Sequence, residues 1–292
     1  MPSPRHWAGC GAGRYARRSC RRWRKPRPRM ADGTLEPPSL FQGERQREIA
    51  ALTLESGRVE VSELSERFGV TTETIRRDLS ELQERGVVRR VHGGAVPWET
   101  IGFEPLLSVR TDLRISEKRL LARVAIDELP NGGSVIIDSG STLTRFAEAI
   151  PSGTELRVVT NSLLTAQVLA ERSGLDVSMI GGELRKKTLA VVDADAVATV
   201  ERLVADTLFI SSDGFSPENG LSTPYPAEAA LKRAMIAAAK RVVVLVDDSK
   251  LGKDHLVRFA EWTDVDVLIT NEAVPASAVA AIEASGTTVR LA

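Results

Sequence analysis

Thr71-Thr72-Glu73-Thr74-Ile75-Arg76-Arg77-Asp78-Leu79 decides the N-terminal fold. From this stretch to Arg85, Ile75, Leu79 and Leu82 recur at i, i+4 and i+7, the spacing of one buried stripe on an amphipathic helix. Thr71 or Thr72 suits its N-cap, and Glu73 its positive first turn. The opposite face carries Thr72, Thr74, Arg76, Arg77 and Ser80. A shorter helix precedes it, with Val61, Leu64 and Phe68 on one side, and only Gly69-Val70 separates the two. Glycine there fits the sharp turn of a helix-turn-helix. Such a unit lays its second helix in the DNA major groove, first turn against the base edges. Thr72, Thr74, Arg76 and Arg77 are the residues this geometry presents. The competing reading is an ordinary surface helix with a charged face; turn, spacing and paired arginines together argue against it.

Working outward, Glu44 to about Ser56 reads as a first helix with Ile49 and Leu52 inward, joined by a tight Gly57-Arg58-Val59 link. Downstream, Gly86 suits a helix end, and two β-branched runs flank Gly93-Gly94, which makes a hairpin. A hairpin directly after a recognition helix is the wing of a winged helix. Arg89, Arg90 and His92 then lie against phosphate or the minor groove. A lone histidine in such a place is more often a turn residue than a titrating switch.

The chain of 292 residues has room for two folded units. Its formal net charge of zero conceals a split: residues 1–30 hold ten Lys or Arg and no acid, leaving 29 basic against 39 acidic residues in the rest. Glu44–Trp98 alone carries nine arginines and ten acids, so any basic surface there is local, at Arg76-Arg77 and at Arg85, Arg89 and Arg90. Residues 1–40 combine an Arg-rich run with Pro26, Pro28, Pro37 and Pro38 and read as a disordered basic extension. A DNA-reaching arm, an organelle transit peptide, and a start codon placed ahead of Met30 are three readings of it. Cys10 and Cys20 form no CxxC pair, so neither structural zinc nor a disulfide framework is expected. With no apolar run of about 18 residues, no membrane span is expected, and a cytoplasmic protein without cofactor or metal is the default reading.

From Pro97 to about Ile115 the periodicity fades, which places the DNA-binding domain at 41–98, a linker at 99–115 and a second domain at 116–292. A helix near Ser116–Leu129 opens that domain. Seven short apolar runs then alternate with helical patterns: Ser134–Asp138, Arg157–Thr160, Val177–Ile180, Thr207–Ile210, Val242–Val246, Val267–Thr270 and Thr288–Leu291. Continuous Val/Ile/Leu strands between helices predict an α/β domain with a mainly parallel sheet covered on both faces.

Ligands of open α/β sheets sit beyond the carboxyl ends of strands. Here those ends are Asp138-Ser139-Gly140-Ser141-Thr142, Thr160-Asn161-Ser162, Gly181-Gly182-Glu183, Ser212-Asp213-Gly214 and Asp247-Asp248-Ser249-Lys250. Each loop alone is ordinary turn and capping chemistry. Five polar ends on one rim point instead to a phosphorylated polyhydroxy molecule. Its phosphate would lie at Gly140, Ser141, Thr142 and a helix N-terminus, with Lys250 as counter-charge and Asp138, Asn161 or Asp213 reading hydroxyls.

Residues 44–292 resemble the DeoR-type regulators of bacterial sugar metabolism. The resemblance is carried by Glu44-Arg45-Gln46, Thr74-Ile75-Arg76-Arg77-Asp78-Leu79, Arg89-Arg90-Val91-His92-Gly93-Gly94-Ala95 and Glu117-Lys118. It continues through the 138–142, 160–162 and 181–182 loops and Asp248-Ser249-Lys250. It implies a winged helix-turn-helix plus a sensor domain similar to ribose-phosphate isomerases and coenzyme A transferases. It further implies a homo-oligomer, dimer or tetramer, that represses a carbohydrate operon from a double-stranded DNA operator until a phosphorylated sugar releases it. Two departures stand out: Asp193 where a Val-Gly-Pro segment is common in the family, and Asp213 where a small or amide residue is usual. Both are expected near the pocket.

The runner-up reading is a sugar-phosphate isomerase or transferase fused to a DNA-binding domain, with Glu228 or Asp213 as acid or base. Against it, Glu228, Lys232 and Arg233 fall on one apolar-striped helix and read as its solvated face. A third reading is DNA binding with a vestigial sensor, suggested by Asp193 and Asp213.

Overall fold

The computed structural model describes residues 40–98 and 107–292; the basic extension and the first part of the expected linker lie outside the described residues. The N-terminal elements are α1 (Gln42–Ser56), β1 (Val59–Glu60), α2 (Val61–Phe68), α3 (Thr72–Glu84), β2 (Val88–Val91) and β3 (Gly94–Pro97). The α2–α3 turn works as its sequence predicts. Gly69 takes φ 61° in the left-handed region, and the Thr71 hydroxyl accepts from the Thr74 amide to cap α3. Ile75, Leu79 and Leu82 are buried against Ile49, Leu64 and Val88 in one small core.

The 57–59 link differs from expectation. Val59 and Glu60 form β1, which pairs antiparallel with β3 and makes the wing a three-stranded sheet, β1-β3-β2. This explains both glycines of the wing. His92-Gly93 is the two-residue turn between Val91 and Gly94, with Gly93 at φ 78°. Gly94 lies inside β3, where a Cβ would stand 1.9 Å from the Val59 carbonyl oxygen.

Residues 107–112, within the stretch read as linker, form a short helix, α4 (Leu107–Asp112), ahead of α5 (Ile115–Ala125). The remaining elements are β4 (Ser134–Ile137), α6 (Ser141–Ala149), β5 (Leu156–Thr160), α7 (Leu163–Ala170), β6 (Leu175–Met179), the hairpin β7 (Leu184–Arg185) and β8 (Ala190–Val191), α8 (Ala194–Val200) and β9 (Thr207–Ile210). After them come β10 (Gly214–Ser216), β11 (Gly220–Thr223), α9 (Pro226–Ala237), β12 (Val242–Leu245), β13 (Val257–Ala260), β14 (Val267–Thr270), α10 (Ala276–Glu283) and β15 (Thr288–Leu291). The seven strands expected from apolar runs are the seven of one parallel sheet, ordered β15-β14-β12-β9-β4-β5-β6. Alternate residues feed two cores. Val135, Ile137, Phe209, Val243 and Leu245 pack with Leu121 of α5 and Phe146 of α6. Ile136, Leu208, Ile210, Val242 and Val244 pack with Val200 of α8, Leu231 of α9 and Ile282 of α10.

From β4 the chain steps outward to β5 and β6, then returns to β9 on the other side of β4 and continues to β12, β14 and β15. The order therefore reverses between β4 and β9, and at such a switch point the loops leaving the two strands part to open a crevice. A second, antiparallel sheet, β10-β11-β13, grows directly from the end of β9. The sequence reading did not include it.

Candidate functional site

On the N-terminal domain, Thr72, Arg76 and Arg77 are exposed and Thr74 is half-buried, all at the start of α3. Arg76 lies 3.5 Å from Glu73 in an exposed pair that the surrounding water screens. Arg89 and His92 are exposed on the wing. Arg90 is tied to the recognition helix: its Nη1 donates to the Ser80 hydroxyl at 2.8 Å and its amide to Gln83 Oε1 at 2.9 Å. Asp78, to which the sequence reading gave no role, is 1% exposed and accepts from Arg45 Nε at 2.6 Å and Gln46 Nε2 at 3.0 Å. It anchors α3 to α1.

On the C-terminal domain, the strand ends of β4 and β9 meet at the switch point. Asp138 is buried at the end of β4, and the Lys232 ammonium of α9 donates to its carboxylate and, at 2.8 Å, to the Ser211 carbonyl. This corrects the reading of α9. Lys232 and Glu228 are buried at 6% and 5%, and of the three residues only Arg233 faces solvent. Glu228 accepts from Arg185 Nη1 at 2.9 Å and lies 3.3 Å from the Thr223 hydroxyl. An apolar stripe does not say which flank of a helix a neighbouring loop covers; here the β7–β8 hairpin, which carries Arg185, and the strand ends cover the flank with Glu228 and Lys232.

Above this pair stands Asp213, with Arg110 Nη2 at 3.1 Å and the Thr223 hydroxyl donating at 2.8 Å. Burial raises its carboxyl pKa, but Arg110, Lys250, Lys232 and that hydroxyl outweigh burial and hold it at about 2. The neighbouring Gly214 admits no side chain, since a Cβ would meet the Lys253 carbonyl oxygen at 1.8 Å. Lys250 is half-buried, and among the described residues its ammonium makes no hydrogen bond or ion pair. Burial lowers its pKa and Arg110 adds to this, while Asp213 and Asp247 oppose. Gly140, at φ 136°, leads into α6, whose first amides have no intrahelical acceptor; Ser141 and Thr142 are buried in that first turn.

Asn161, expected in the site, and Asp193, expected near it, also hold local structure, and the buried Asn161 Oδ1 has no hydrogen-bond partner among the described residues. Asn161 is fully buried and its Nδ2 donates to the Val191 carbonyl at 3.1 Å, pinning the β7–β8 hairpin to β5. Asp193 caps α8, accepting from the Ala196 amide at 2.9 Å and from the Glu183 amide. Arg110 and Lys232, which line this crevice, and Arg185, which pairs with Glu228, were missed by sequence reasoning, which named Glu228 only as an acid or base of the enzyme reading. Helical spacing alone put Glu228 and Lys232 on the wrong face, and Arg110 sits where periodicity fades.

These two sites, a recognition helix with a wing and a polar crevice at a sheet switch point, coincide with two family models. Residues 45–100 match the DeoR-like helix-turn-helix domain and residues 113–272 the DeoR C-terminal sensor domain. The chain belongs to the DeoR family. It is therefore a DNA-binding transcriptional regulator. The HTH-type transcriptional regulator GlpR of Haloferax volcanii is 37% identical over 86% of this chain and 98% of its own length. The glycerol-3-phosphate regulon repressor of Escherichia coli is 30% identical over 82% of this chain and 94% of its own. Ribose 5-phosphate isomerase A from Neisseria gonorrhoeae aligns at TM-score 0.33 and 20% identity over 48% of this chain and 54% of that one, too remote a likeness to bear on activity. Among the described residues of this DeoR-family chain, no helix is long and apolar enough to cross a membrane.

Proposed function

We propose that this regulator represses a carbohydrate-metabolism operon from the cytoplasm and leaves its operator when a phosphorylated sugar or a related polyol phosphate binds the switch-point crevice. One observation carries the effector class: Lys250, a half-buried cation with no hydrogen bond or ion pair among the described residues, at the rim that bears the N-terminus of α6. An ammonium without a hydrogen-bonded partner, on the same rim as free helix amides, can receive an anion. Asp138 and Asp213 on the same rim are acceptors for hydroxyls, and the repressor of a glycerol-3-phosphate regulon among the relatives agrees with a phosphorylated effector.

The crevice binds rather than reacts. Asp138 is paired with Lys232, Asp213 with Arg110 and Glu228 with Arg185, so none of these three carboxylates is free to act as a general base. On the DNA side, Thr72, Thr74, Arg76 and Arg77 read bases, while Arg89, Arg90 and His92 hold the backbone. Residues 41–98 serve DNA, and residues 116–292 sense the effector and assemble the homo-oligomer that two half-sites require. The test titrates operator complexes with inorganic phosphate, glycerol 3-phosphate, ribose 5-phosphate and fructose 6-phosphate. At least one phosphorylated compound must release wild type, and Lys250→Ala must need far more of it. Equal response of the two proteins would remove Lys250 from the site.

A further inference from the structure

The crevice is narrow. Bounded by Ser139, Gly140, Ser212 and Asp213 below, and by Leu107, Arg110 and Thr188 above, it encloses about 20 Å³. That is room for one water, whereas pockets for small molecules run to roughly 300–1,000 Å³. The lower wall is strand ends and α9, built into two cores. Most of the upper wall is α4, a six-residue helix, which Arg145 Nη2 also reaches at the Thr111 carbonyl, 3.5 Å away. Leu107 donates its amide to the Lys187 carbonyl at 3.1 Å, Lys118 Nζ donates to the Arg110 and Leu113 carbonyls, and Arg110 pairs with Asp213. At the α4–α5 junction Arg114 takes φ 51°, a left-handed backbone that is unfavourable for a non-glycine residue. Its guanidinium pairs with Asp248 and lies 3.7 Å from Asp247, which holds the bend in place. α4 also touches α1, the helix whose Arg45 anchors the recognition helix through Asp78.

We propose that α4 is the lid of the effector site and Arg110–Asp213 its latch: the effector's anionic group takes Arg110 from Asp213, α4 leaves the rim, and the change at α1 lowers operator affinity. The assignment rests on the phosphorylated-effector reading above and extends it to a residue outside the strand-end loops. Charge supports it. Arg110, Lys250 and Lys232 all act on Asp213, so three cations stand within reach of an entering anion. An entering phosphate can pair with Arg110, and the carboxylate that loses Arg110 is left to accept a sugar hydroxyl. A ligand shifts a two-state element only by binding one arrangement better than the other. Arg110 supplies that difference, because the two arrangements offer it different anions.

Amide exchange followed by mass spectrometry on the full-length protein tests the latch without any ligand. Arg110→Ala and Asp213→Asn should each speed exchange across Leu107–Asp112 by about tenfold or more, as loss of a charge-assisted hydrogen bond requires, with β4 and β9 unchanged. Both variants should also bind operator more weakly, by about 5- to 150-fold. In wild type, the phosphate compound that releases operator must speed exchange across the same residues, and Arg110→Ala must respond to it at least about tenfold less. Unchanged α4 exchange in both variants overturns the latch. So does an effector that releases operator while α4 stays protected, or that acts equally on Arg110→Ala. If the variants loosen α4 and weaken operator binding but no phosphate compound acts on wild type, the latch stands and the phosphorylated-effector reading fails.

Discussion

Arg45 Nε donates to Asp78 Oδ2 at 2.6 Å across the α1–α3 interface, with both side chains buried. Two neighbours in one motif thus face opposite ways: Arg77 is exposed and Asp78 is buried against α1. Asp78→Ala strands the Arg45 charge in a dry interface and should cost about 3–5 kcal/mol of stability. Arg77→Ala should change stability by no more than about 0.5 kcal/mol. Chemical denaturation of the two variants checks this, and equal losses would refute it.

For DNA the ranking reverses. Arg77→Ala should weaken specific operator binding by about 1–3 kcal/mol and blur discrimination between sequences. Arg89→Ala should weaken all sequences alike and flatten the dependence on salt. Anisotropy titrations on operator and scrambled duplexes at several salt concentrations separate the two. An Arg77 variant with wild-type operator affinity would remove α3 from the groove.

The wing glycines are unequal. Gly93→Asn keeps a residue that tolerates φ 78° and meets nothing within 4 Å, so thermal stability should fall only slightly. Gly94→Ala drives a methyl into the Val59 carbonyl and should break the β1–β3 pairing. Melting temperatures and the amide exchange of Val59–Glu60 report it, and a well-folded Gly94→Ala wing would refute the three-stranded arrangement.

Lys232 and Lys250 separate in the same way. Lys232→Met leaves Asp138 buried without its cation and should destabilise the C-terminal domain by about 3–5 kcal/mol. Lys250→Ala loses no hydrogen bond or ion pair among the described residues, so its stability should stay near wild type while its effector response fails. Unfolding curves alongside operator-release titrations decide between these outcomes.

Lys118 sets a pH dependence. Burial lowers its ammonium from 10.5 to about 7; Asp247 opposes this, and Arg110, Lys250 and Arg145 add to it. The folded protein gives up this proton near pH 7, whereas the unfolded chain keeps it to about pH 10.4. Between those values the unfolded state binds more protons, so this lysine's contribution to stability rises with pH and is flat below about 7. The unfolding free energy of wild type should therefore climb relative to Lys118→Met between pH 7 and 9. A falling or constant difference would show that Lys118 keeps its proton.

The recognition helix, its capping threonine and all seven strands of the parallel sheet were legible in the sequence. Periodicity records which face of an element is buried, and the Gly69 turn and the Val/Ile/Leu runs are local signals that survive folding unchanged. Asp78 and Lys232 were not legible. A charged residue beside an apolar stripe looks solvated until the partner that covers it is known, and Arg45 and Asp138 lie 33 and 94 residues away. β1, β10, β11 and β13 are two to four residues long without a continuous apolar run, and owe their pairing to strands brought from elsewhere in the chain. Strand order, which places the crevice between β4 and β9, is likewise a property of the packed sheet. So is the placement of Arg110 over that crevice, since no local pattern marks a short helix whose stability comes from what it covers.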